Sequence, residues 1–491
     1  MKYLFFSLVF IFSNSSVLSQ ESLTDRLYNT YPEYKEPSLN KRRIKYKQIQ
    51  PLIQRFADNP KFKVQKVGKS IEGRDLSLIS IGSGTENIFL WSQMHGNEPT
   101  ATLAIFDILN FLDAPDFETE KTEILSKLKL HFLPMLNPDG AEVYQRRNAL
   151  GIDINRDALR LQSPEGRTLK RLRDSLGADF GFNLHDQSTY YNAYLTDKPA
   201  TISYLATAYN YEKDINETRA NAMKVIVFMN NVIQKYAPGQ VGRYSDEFEP
   251  RAFGDNIAKW GTSLILIESG GYTNDAEKQE IRKLNYVSIL SALHTIATGS
   301  YKNIPIADYG KIPRNDRKLF DLKIENVTYT LLGKDYILDL GINRQEVDEP
   351  DHEDFYYKST IVDQGDLSTY YGYETFDASG YRIVAPKIGE KASEEASWTI
   401  YPPILALLKT GIAYQPFTFQ ENTGYYIENE VPLHLWNSEK IFPEFKLAPG
   451  QNPTFFLEKE GEITHAIVNG FLLDLAQPLE NQKFGNALIY R

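Results

Sequence analysis

The 491-residue chain contains no cysteine. This absence excludes disulfide bonds, thiolate metal ligands, a cysteine nucleophile and a lipid-modified N-terminal cysteine. If the chain binds a transition metal, histidine and carboxylate side chains must supply the ligands. The composition, 42% hydrophobic and 24% charged, is ordinary for a globular protein of two or three domains. Such a chain must be held together by its core alone.

A basic block and a long apolar run are also missing. The net charge of -10 and the pI near 5.4 give no electrostatic reason to expect a nucleic-acid partner. Lys41, Arg42, Arg43 and Lys45 form a local basic cluster, which we interpret as a solvated helix face. No stretch reaches the roughly 18 uninterrupted apolar residues that a membrane-spanning helix needs. We therefore expect no membrane span.

Residues 1–20 have the pattern of a secretory signal. Lys2 supplies a positive start, Leu4 to Phe12 an apolar core, and Val17-Leu18-Ser19 a small-residue cleavage site before Gln20. We therefore predict a protein that is secreted or periplasmic.

The clearest chemical signal lies in Trp91-Ser-Gln-Met-His95-Gly-Asn-Glu98-Pro-Thr100. The apolar residues 88–90 before it predict a buried strand, and the spacing of apolar residues over 98–112 predicts a helix after it. His95 and Glu98 therefore lie at a strand-to-helix junction, where a short loop can direct both side chains at one metal ion. The isolated pair is a weak signal, because a catalytic zinc needs a third protein ligand.

His185 is the second histidine in this context, because it follows the apolar strand predicted over 179–184. Of the other histidines, His131 lies inside a predicted strand. The remaining four occur downstream without a comparable loop: His294, His352, His434 and His465. We select His95, Glu98 and His185 as the candidate metal ligands.

Two more segments place polar residues after predicted strands. The loop 137–157 begins with Asn137-Pro-Asp-Gly140 and is rich in arginine, asparagine and aspartate. An apolar strand over 261–267 ends at Glu268, which precedes two glycines. A carboxylate that closes an apolar strand is poorly placed for packing, so Glu268 is a candidate for chemistry.

The order of elements predicts an α/β fold. Strands alternate with helices up to about residue 297, which indicates a mixed, mainly parallel sheet flanked by helices, with its site at the carboxyl ends of the strands. From about residue 304 the segments are short and alternating, which indicates a mostly β C-terminal region. We predict a catalytic domain over 21–300 and the β region over 301–491, with a boundary near 301–315. We interpret its tyrosines as core residues: Tyr356, Tyr357, Tyr370, Tyr371 and Tyr373.

His95-x-x-Glu98, the Asn155-Arg156 pair, His185 and Glu268 occur in one order that resembles the zinc carboxypeptidase family, the carboxypeptidase A-like metallopeptidases. The similarity covers roughly residues 46–297. It implies one zinc ion per chain, bound by His95, Glu98 and His185, and a peptide or protein substrate with a free C-terminus. Glu268 is then the general base that acts on a zinc-activated water.

The resemblance also implies roles for the residues around this centre. Arg146 resembles the arginine that polarises the scissile carbonyl, with Arg147 as the adjacent alternative, and Asp153 resembles the carboxylate that orients a ligand imidazole. Asn155 and Arg156 resemble the pair that binds the terminal carboxylate of the peptide. The capping tyrosine of the family has no secure counterpart. Tyr244 is near the expected position, and the segment 246–255, with Arg251 and Asp255, is expected to shape the specificity pocket.

Two alternatives remain open from the sequence. A zinc amidase acting on cell-wall peptides, or an aspartoacylase-like deacylase, would use the same centre on another substrate. An inactive protein whose β region binds a glycan or a protein surface is the third hypothesis. The presence of both histidines, both glutamates and the arginines argues against it.

Overall fold

A computed structural model describes residues 22–390, 401–417 and 426–490 of the chain. The predicted signal segment, residues 1–20, lies outside these described residues. In the first part of the chain, the helices are α1 (Leu23–Tyr34), α2 (Tyr46–Ala57), α3 (Thr100–Asp113), α4 (Glu118–Lys127), α5 (Pro138–Glu142), α6 (Pro164–Leu176), α7 (Glu217–Ile233), α8 (Phe253–Lys259) and α9 (Gln279–Thr298). The strands are β1 (Lys63–Lys69), β2 (Asp75–Ile81), β3 (Glu86–Ser92), β4 (Leu128–Leu133), β5 (Phe180–Asp186), β6 (Asn192–Ala193), β7 (Ile202–Ala206), β8 (Val241–Arg243) and β9 (Ser263–Ser269).

Eight of these strands form one mixed sheet in the order β1, β2, β4, β3, β5, β9, β7, β8. The central strands β4, β3, β5 and β9 are parallel to one another. The outer pairs supply the antiparallel contacts, β1 with β2, β2 with β4 and β7 with β9. The predicted fold class is confirmed: the carboxyl ends of β3, β5 and β9 meet at one edge of the sheet.

Helices cover both faces of this sheet because each face carries its own apolar cluster. The larger cluster joins the sheet to α1, α3, α7 and α9, and it also includes Tyr301, Tyr309 and Ile312. The smaller cluster lies under α6 and α8 on the other face, around Trp91 and Phe253. The first core thus continues to residue 312, beyond the end of α9.

A fully buried ion pair ties the N-terminal segment to this core. Arg282 of α9 lies 2.5 Å from Asp107 of α3 and also donates to the backbone carbonyls of Glu36 and Leu39. The hydroxyl of Tyr31 and the amide of Glu36 donate to the same carboxylate, at 3.0 and 2.7 Å. All these contacts compensate the loss of hydration of the buried charges.

The C-terminal region is mostly strands, as predicted. Its elements are β10 (Asn315–Asp316), β11 (Leu319–Leu331), β12 (Lys334–Asp348), β13 (Phe355–Gly365), β14 (Tyr371–Asp377), β15 (Arg382–Val384), β16 (Lys387–Ile388), α10 (Tyr401–Lys409), β17 (Ile412–Phe417), β18 (Tyr426–Glu430), β19 (His434–Asn437), β20 (Phe455–Lys459), β21 (Glu462–Val468), β22 (Phe471–Asp474) and β23 (Asn486–Tyr490). The strands from β11 onward form a larger sheet around β11 and β12 and a smaller one around β17, β19 and β23, while β10 pairs with β6. The five tyrosines assigned to its core are half-buried, and Tyr373 reaches the first domain.

The basic cluster at residues 41–45 corrects our interpretation of a solvated helix face. These residues precede α2, and Arg42, Arg43 and Lys45 are buried. Arg42 lies 2.6 Å from Glu346, and Arg43 lies 2.8 Å from Asp348, both on β12. The cluster therefore joins the two parts of the chain, and the partner carboxylates explain why the charges can be buried.

Within residues 22–390, 401–417 and 426–490, no helix has both the length and the apolar composition needed to cross a membrane.

Candidate active site

The three candidate ligands meet because of the sheet order. His95 and Glu98 lie in the turn after β3, where the amide of Glu98 donates to the carbonyl of His95 at 3.1 Å. His185 lies near the end of β5, the neighbour of β3 in the sheet. Nδ1 of His95 is 2.8 Å from one oxygen of Glu98, and Nδ1 of His185 is 2.7 Å from the other. One ligand atom from each residue lies within 4.8 Å of the others.

Close backbone packing fixes the turn that carries His95 and Glu98. A Cβ on Gly96 would lie 2.1 Å from the carbonyl carbon of Gly140, so neither position leaves room for a side chain. Asn137, which opens the Asn137-Pro-Asp-Gly140 motif, accepts from the amide of Gly140 and donates to the carbonyl of Arg146. Through this motif, the turn that carries His95 and Glu98 packs against the loop 137–157, which carries Arg146.

The charges in this centre stabilise the ionised carboxylate. Burial alone would raise the pKa of Glu98, but the two adjacent imidazoles outweigh burial and hold the pKa well below its usual range. Burial opposes protonation of His95 too, yet Glu98 and Asp153 raise its pKa. For His185 burial dominates and lowers the pKa. A neutral imidazole and an ionised carboxylate are the forms that bind a metal.

Asp153 orients the His95 ring. Its Oδ1 lies 3.2 Å from Nε2 of His95, which leaves Nδ1 directed at Glu98. Nε of Arg146 donates to Oδ2 of Asp153 at 3.0 Å, and Nη1 of Arg146 lies 3.2 Å from Glu98. The structure thus brings Arg146 and Asp153 directly onto the triad, where a guanidinium faces the candidate metal ligands.

Asn155 and Arg156 follow in the same loop. The side-chain oxygen of Asn155 accepts from the amide of Phe253 at 2.9 Å, so it holds the start of α8 beside the site. Nε of Arg156 is 3.6 Å from Glu249, and Nε and Nη2 of Arg251 donate to the same carboxylate at 3.1 and 3.2 Å. The two guanidiniums therefore already share one carboxylate.

The other predicted substrate contacts differ in their placement. Tyr244 lies beside the centre: burial, and then the charge of Glu268, raise the pKa of its hydroxyl. Arg147 is exposed and donates to the carbonyl of Gly151 within its own loop. Asp255 accepts from the amide of Glu249, and burial raises the pKa of its carboxyl to about 7.

Glu268 is the direct neighbour of His185 in the sheet, because the two residues pair in register across β5 and β9. Burial is the main cause of a pKa well above the usual range for this carboxyl, and the negative charges of Glu98 and Asp186 add to it. A carboxyl whose pKa is raised in this way is a stronger base than an ordinary glutamate. Its position and electrostatics suit a general base.

Sequence reasoning missed two residues behind this centre. Asp186 accepts from the hydroxyl of Thr100 at 2.6 Å and lies 3.1 Å from the buried ammonium of Lys278. The backbone amide of Asp186 also donates to Glu98 at 3.3 Å. Asp186 could have been selected as the residue after His185, whereas Lys278 lies at the start of a helix with no distinguishing pattern in the sequence.

The triad fits a zinc ion by the chemistry of its donors. Two imidazole nitrogens and one carboxylate are a ligand set that catalytic zinc uses, and the contact of Asp153 with His95 is the kind of outer interaction that accompanies it. Among the residues that the structure describes, His95, Glu98 and His185 are the group of histidine and acidic side chains whose ligand atoms lie close enough together to hold a metal ion.

Comparisons with known proteins show which families and structures this chain is similar to. The zinc carboxypeptidase family model matches residues 49–168. The chain is 27% identical over 150 residues to an uncharacterised protein of Zymomonas mobilis and 31% identical over 128 residues to carboxypeptidase 2 of Trichophyton rubrum, or 29% and 24% of this chain. These matches span only 39% and 23% of the two relatives. A metallo-carboxypeptidase structure from Burkholderia cenocepacia has a TM-score of 0.43 at 16% identity, covering 52% of this chain and 69% of that one. The resemblance seen in the sequence is thus confirmed over residues 49–168, the segment that carries His95, Glu98, Arg146 and Asp153 and matches the zinc carboxypeptidase family model.

Proposed function

We propose that this protein is a zinc metallopeptidase that hydrolyses the C-terminal peptide bond of peptides or proteins. The observation that carries the proposal is one constellation: His95, Glu98 and His185 converge, and Glu268 pairs in register with His185. Zinc bound by such a set, one ion per chain, supplies Lewis-acid activation of water and of a carbonyl oxygen. The remaining chemistry belongs to the side chains of the chain itself.

Glu268 is the proposed general base. Its raised pKa suits a group that first takes a proton from the attacking water and then returns it to the leaving amine. The ammonium of Lys278 donates to Asp186 at the end of β5 and to the carbonyl of Ser269 at the end of β9, so it holds the two strand ends together. Because Glu268 and His185 are register partners, the base and the metal ligand have a fixed spacing.

Arg146 is the proposed stabiliser of the oxyanion that forms at the scissile carbonyl. Its guanidinium lies across the triad and is held there by Asp153. A cation fixed before the reaction stabilises developing negative charge without reorganising. Asp153 has a second role, since it also holds the imidazole of His95 in the orientation that presents Nδ1.

The terminal carboxylate of the substrate is assigned to Asn155 and Arg156, with Arg147, Tyr244 and Arg251 around it. The support is that the guanidiniums of Arg156 and Arg251 both pair with the carboxylate of Glu249. The same two guanidiniums can therefore bind the carboxylate of a substrate. Tyr244 is the proposed cover for a bound terminal residue, and the support is that its hydroxyl is near enough to Glu268 for that charge to raise its pKa.

The proposal extends to organisation and location. We assign residues 21–300 to the catalytic domain and 301–491 to the β region, and we propose export of the protein through the signal segment 1–20. The substrate is a free C-terminus, and no nucleic-acid partner is assigned. The observation behind export remains the pattern of residues 1–20.

Two matched peptides test the proposed substrate. One has a free C-terminal carboxylate and the other a C-terminal amide. We expect release of the last residue from the first peptide alone. Arg156→Met should raise the KM for that peptide, whereas Arg160→Met, an exposed arginine four residues away, should not. Equal cleavage of both peptides would support the cell-wall amidase or deacylase instead.

A further inference from the structure

The loop that follows β5 is held by the C-terminal β region. We call residues 187–194 the β5 loop; it begins two residues after His185. Strand β10 pairs with β6 inside this loop, and the amide of Tyr194 donates to the carbonyl of Arg314 at 2.9 Å. The side-chain Nδ2 of Asn315 donates to Oε1 of Gln187 at 2.7 Å. Both ends of the β5 loop therefore rest on the start of the β region.

Three further hydrogen bonds hold the middle of the β5 loop. The hydroxyl of Tyr190 donates to the partly buried carboxylate of Asp321 on β11 at 2.8 Å, and the amide of Leu319 donates to the carbonyl of Tyr190 at 3.3 Å. The hydroxyl of Tyr373 on β14 donates to the carbonyl of Thr189 at 2.5 Å. Partly buried hydrogen bonds of this kind restrain a loop because breaking one leaves a polar group without its partner.

Tyr373 also touches the segment that follows the general base. A Cβ on Gly271 would lie 2.1 Å from the Tyr373 hydroxyl and 3.0 Å from the carbonyl of Thr189. Gly271 is three residues after Glu268, at the glycine pair that ends β9. One hydroxyl of the β region thus lies between the loop after His185 and the loop after Glu268.

The β5 loop leads directly to the substrate side of the centre. Tyr191, in its middle, packs edge-on against Tyr244 with ring centroids 6.1 Å apart. Tyr244 is the tyrosine beside Glu268. A chain of contacts therefore runs from Tyr373 through the loop backbone to Tyr191 and Tyr244.

We infer that the C-terminal β region contributes to the active site. Tyr373 positions the β5 loop, and the loop in turn positions Tyr191 and Tyr244, the pair that covers the substrate. This inference rests on the proposed function. Tyr373 is a positioning residue: it touches neither the metal ligands nor the general base in the described contacts. The β region thereby acts on substrate binding, while the candidate zinc ligands lie in the turn after β3 and on β5.

Tyr373→Phe, made in the full-length protein, tests the inference because it removes only the hydroxyl. We expect faster amide hydrogen exchange in residues 187–194 and a KM raised about three- to tenfold, the range for losing one hydrogen bond, with kcat and zinc content unchanged. Gly271→Ala should have the same effect, because its Cβ displaces the hydroxyl. Tyr336→Phe is the matched control; Tyr336 is 49% exposed at the tip of the β11–β12 hairpin and should change neither value.

A double-mutant cycle separates positioning from general stability. In a Tyr191→Ala background, Tyr373→Phe should raise KM no further, because the contact between Tyr191 and Tyr244 is already lost. An equal rise in that background, or an unchanged exchange rate and KM in Tyr373→Phe, would overturn the inference. Wild-type protein is assayed alongside: if it releases no C-terminal residue, the proposed function fails, and hydrogen exchange of the β5 loop alone still decides whether Tyr373 holds it.

Discussion

At the scale of single residues, the candidate catalytic and metal-binding side chains lie at or just after the carboxyl ends of strands. His185 and Glu268 could be selected from the sequence because each follows an apolar run, and a parallel sheet places such ends together. Arg146 and Asp153 depended on resemblance, since a polar loop has no period that fixes its side chains. Asp186 and Lys278 were missed because their pairing joins a strand end to a helix start 92 residues away.

Glu268→Gln is the residue-scale prediction. The amide keeps the size of the side chain but cannot take a proton, so we expect kcat/KM to fall by about 10² to 10⁴, the usual contribution of a general base. Zinc content should stay at one ion per chain, because Glu268 lies outside the triad. Steady-state kinetics and metal analysis measure both values. A variant that keeps its zinc and nearly the wild-type rate would show that another group is the base.

At the scale of elements, apolar periodicity predicted the helices and strands with one buried side. The helix predicted over 98–112 is observed as α3 (Thr100–Asp113), and the strand predicted over 179–184 is observed as β5 (Phe180–Asp186). β7 was missed because Ile202–Ala206 is short and fully buried, with no alternation to mark it. The β11–β12 hairpin is far longer than predicted, because its tip is exposed and lacks a core-facing pattern.

His434 on β19 makes the stability of the β region depend on pH. Its Nδ1 accepts from the amide of Leu488 on β23, and its Nε2 lies 3.0 Å from the hydroxyl of Thr454. Burial lowers the pKa of this imidazole to about 3. Since the unfolded chain binds a proton near pH 6.5 and the folded one does not, stability is complete above about pH 6.5 and falls as the pH drops toward 3.

The expected slope for this one proton is about 1.4 kcal/mol per pH unit within that window. Unfolding by urea at several pH values measures the slope, and His434→Gln is the comparison because it removes the titrating group. Other acidic groups contribute equally to both proteins, so the difference isolates His434. Parallel curves for wild type and variant would contradict the assignment.

At the scale of the whole molecule, two parts with separate cores share an interface that carries charge. Sequence patterns predicted both parts and a boundary near 301–315, but not their contact, because an ion pair across 305 residues has no local signature. Arg43, buried against the rings of Tyr144 and Phe355, pairs with Asp348 and Glu346. The basic cluster therefore lies in the interface between the two parts of the molecule.

Arg43→Met tests this interface. We expect the free energy of unfolding to fall by roughly 2 kcal/mol, less than for a fully buried pair because the partner carboxylates are partly exposed. Urea unfolding measures it. Lys47→Met is the control, because the Lys47–Glu353 pair lies on the surface and should contribute no measurable stability. Equal losses in both variants would show that Arg43 has no special role.

The central claim is that a zinc ion bound by His95, Glu98 and His185 drives the release of C-terminal residues. It is tested by measuring bound zinc together with amino-acid release from a mixed peptide library, before and after treatment with a chelator. We predict one zinc ion per chain and release of single C-terminal residues, lost with the chelator and restored by zinc. Bound zinc with no release from peptides with free C-termini, or release that survives removal of the metal, would contradict the account.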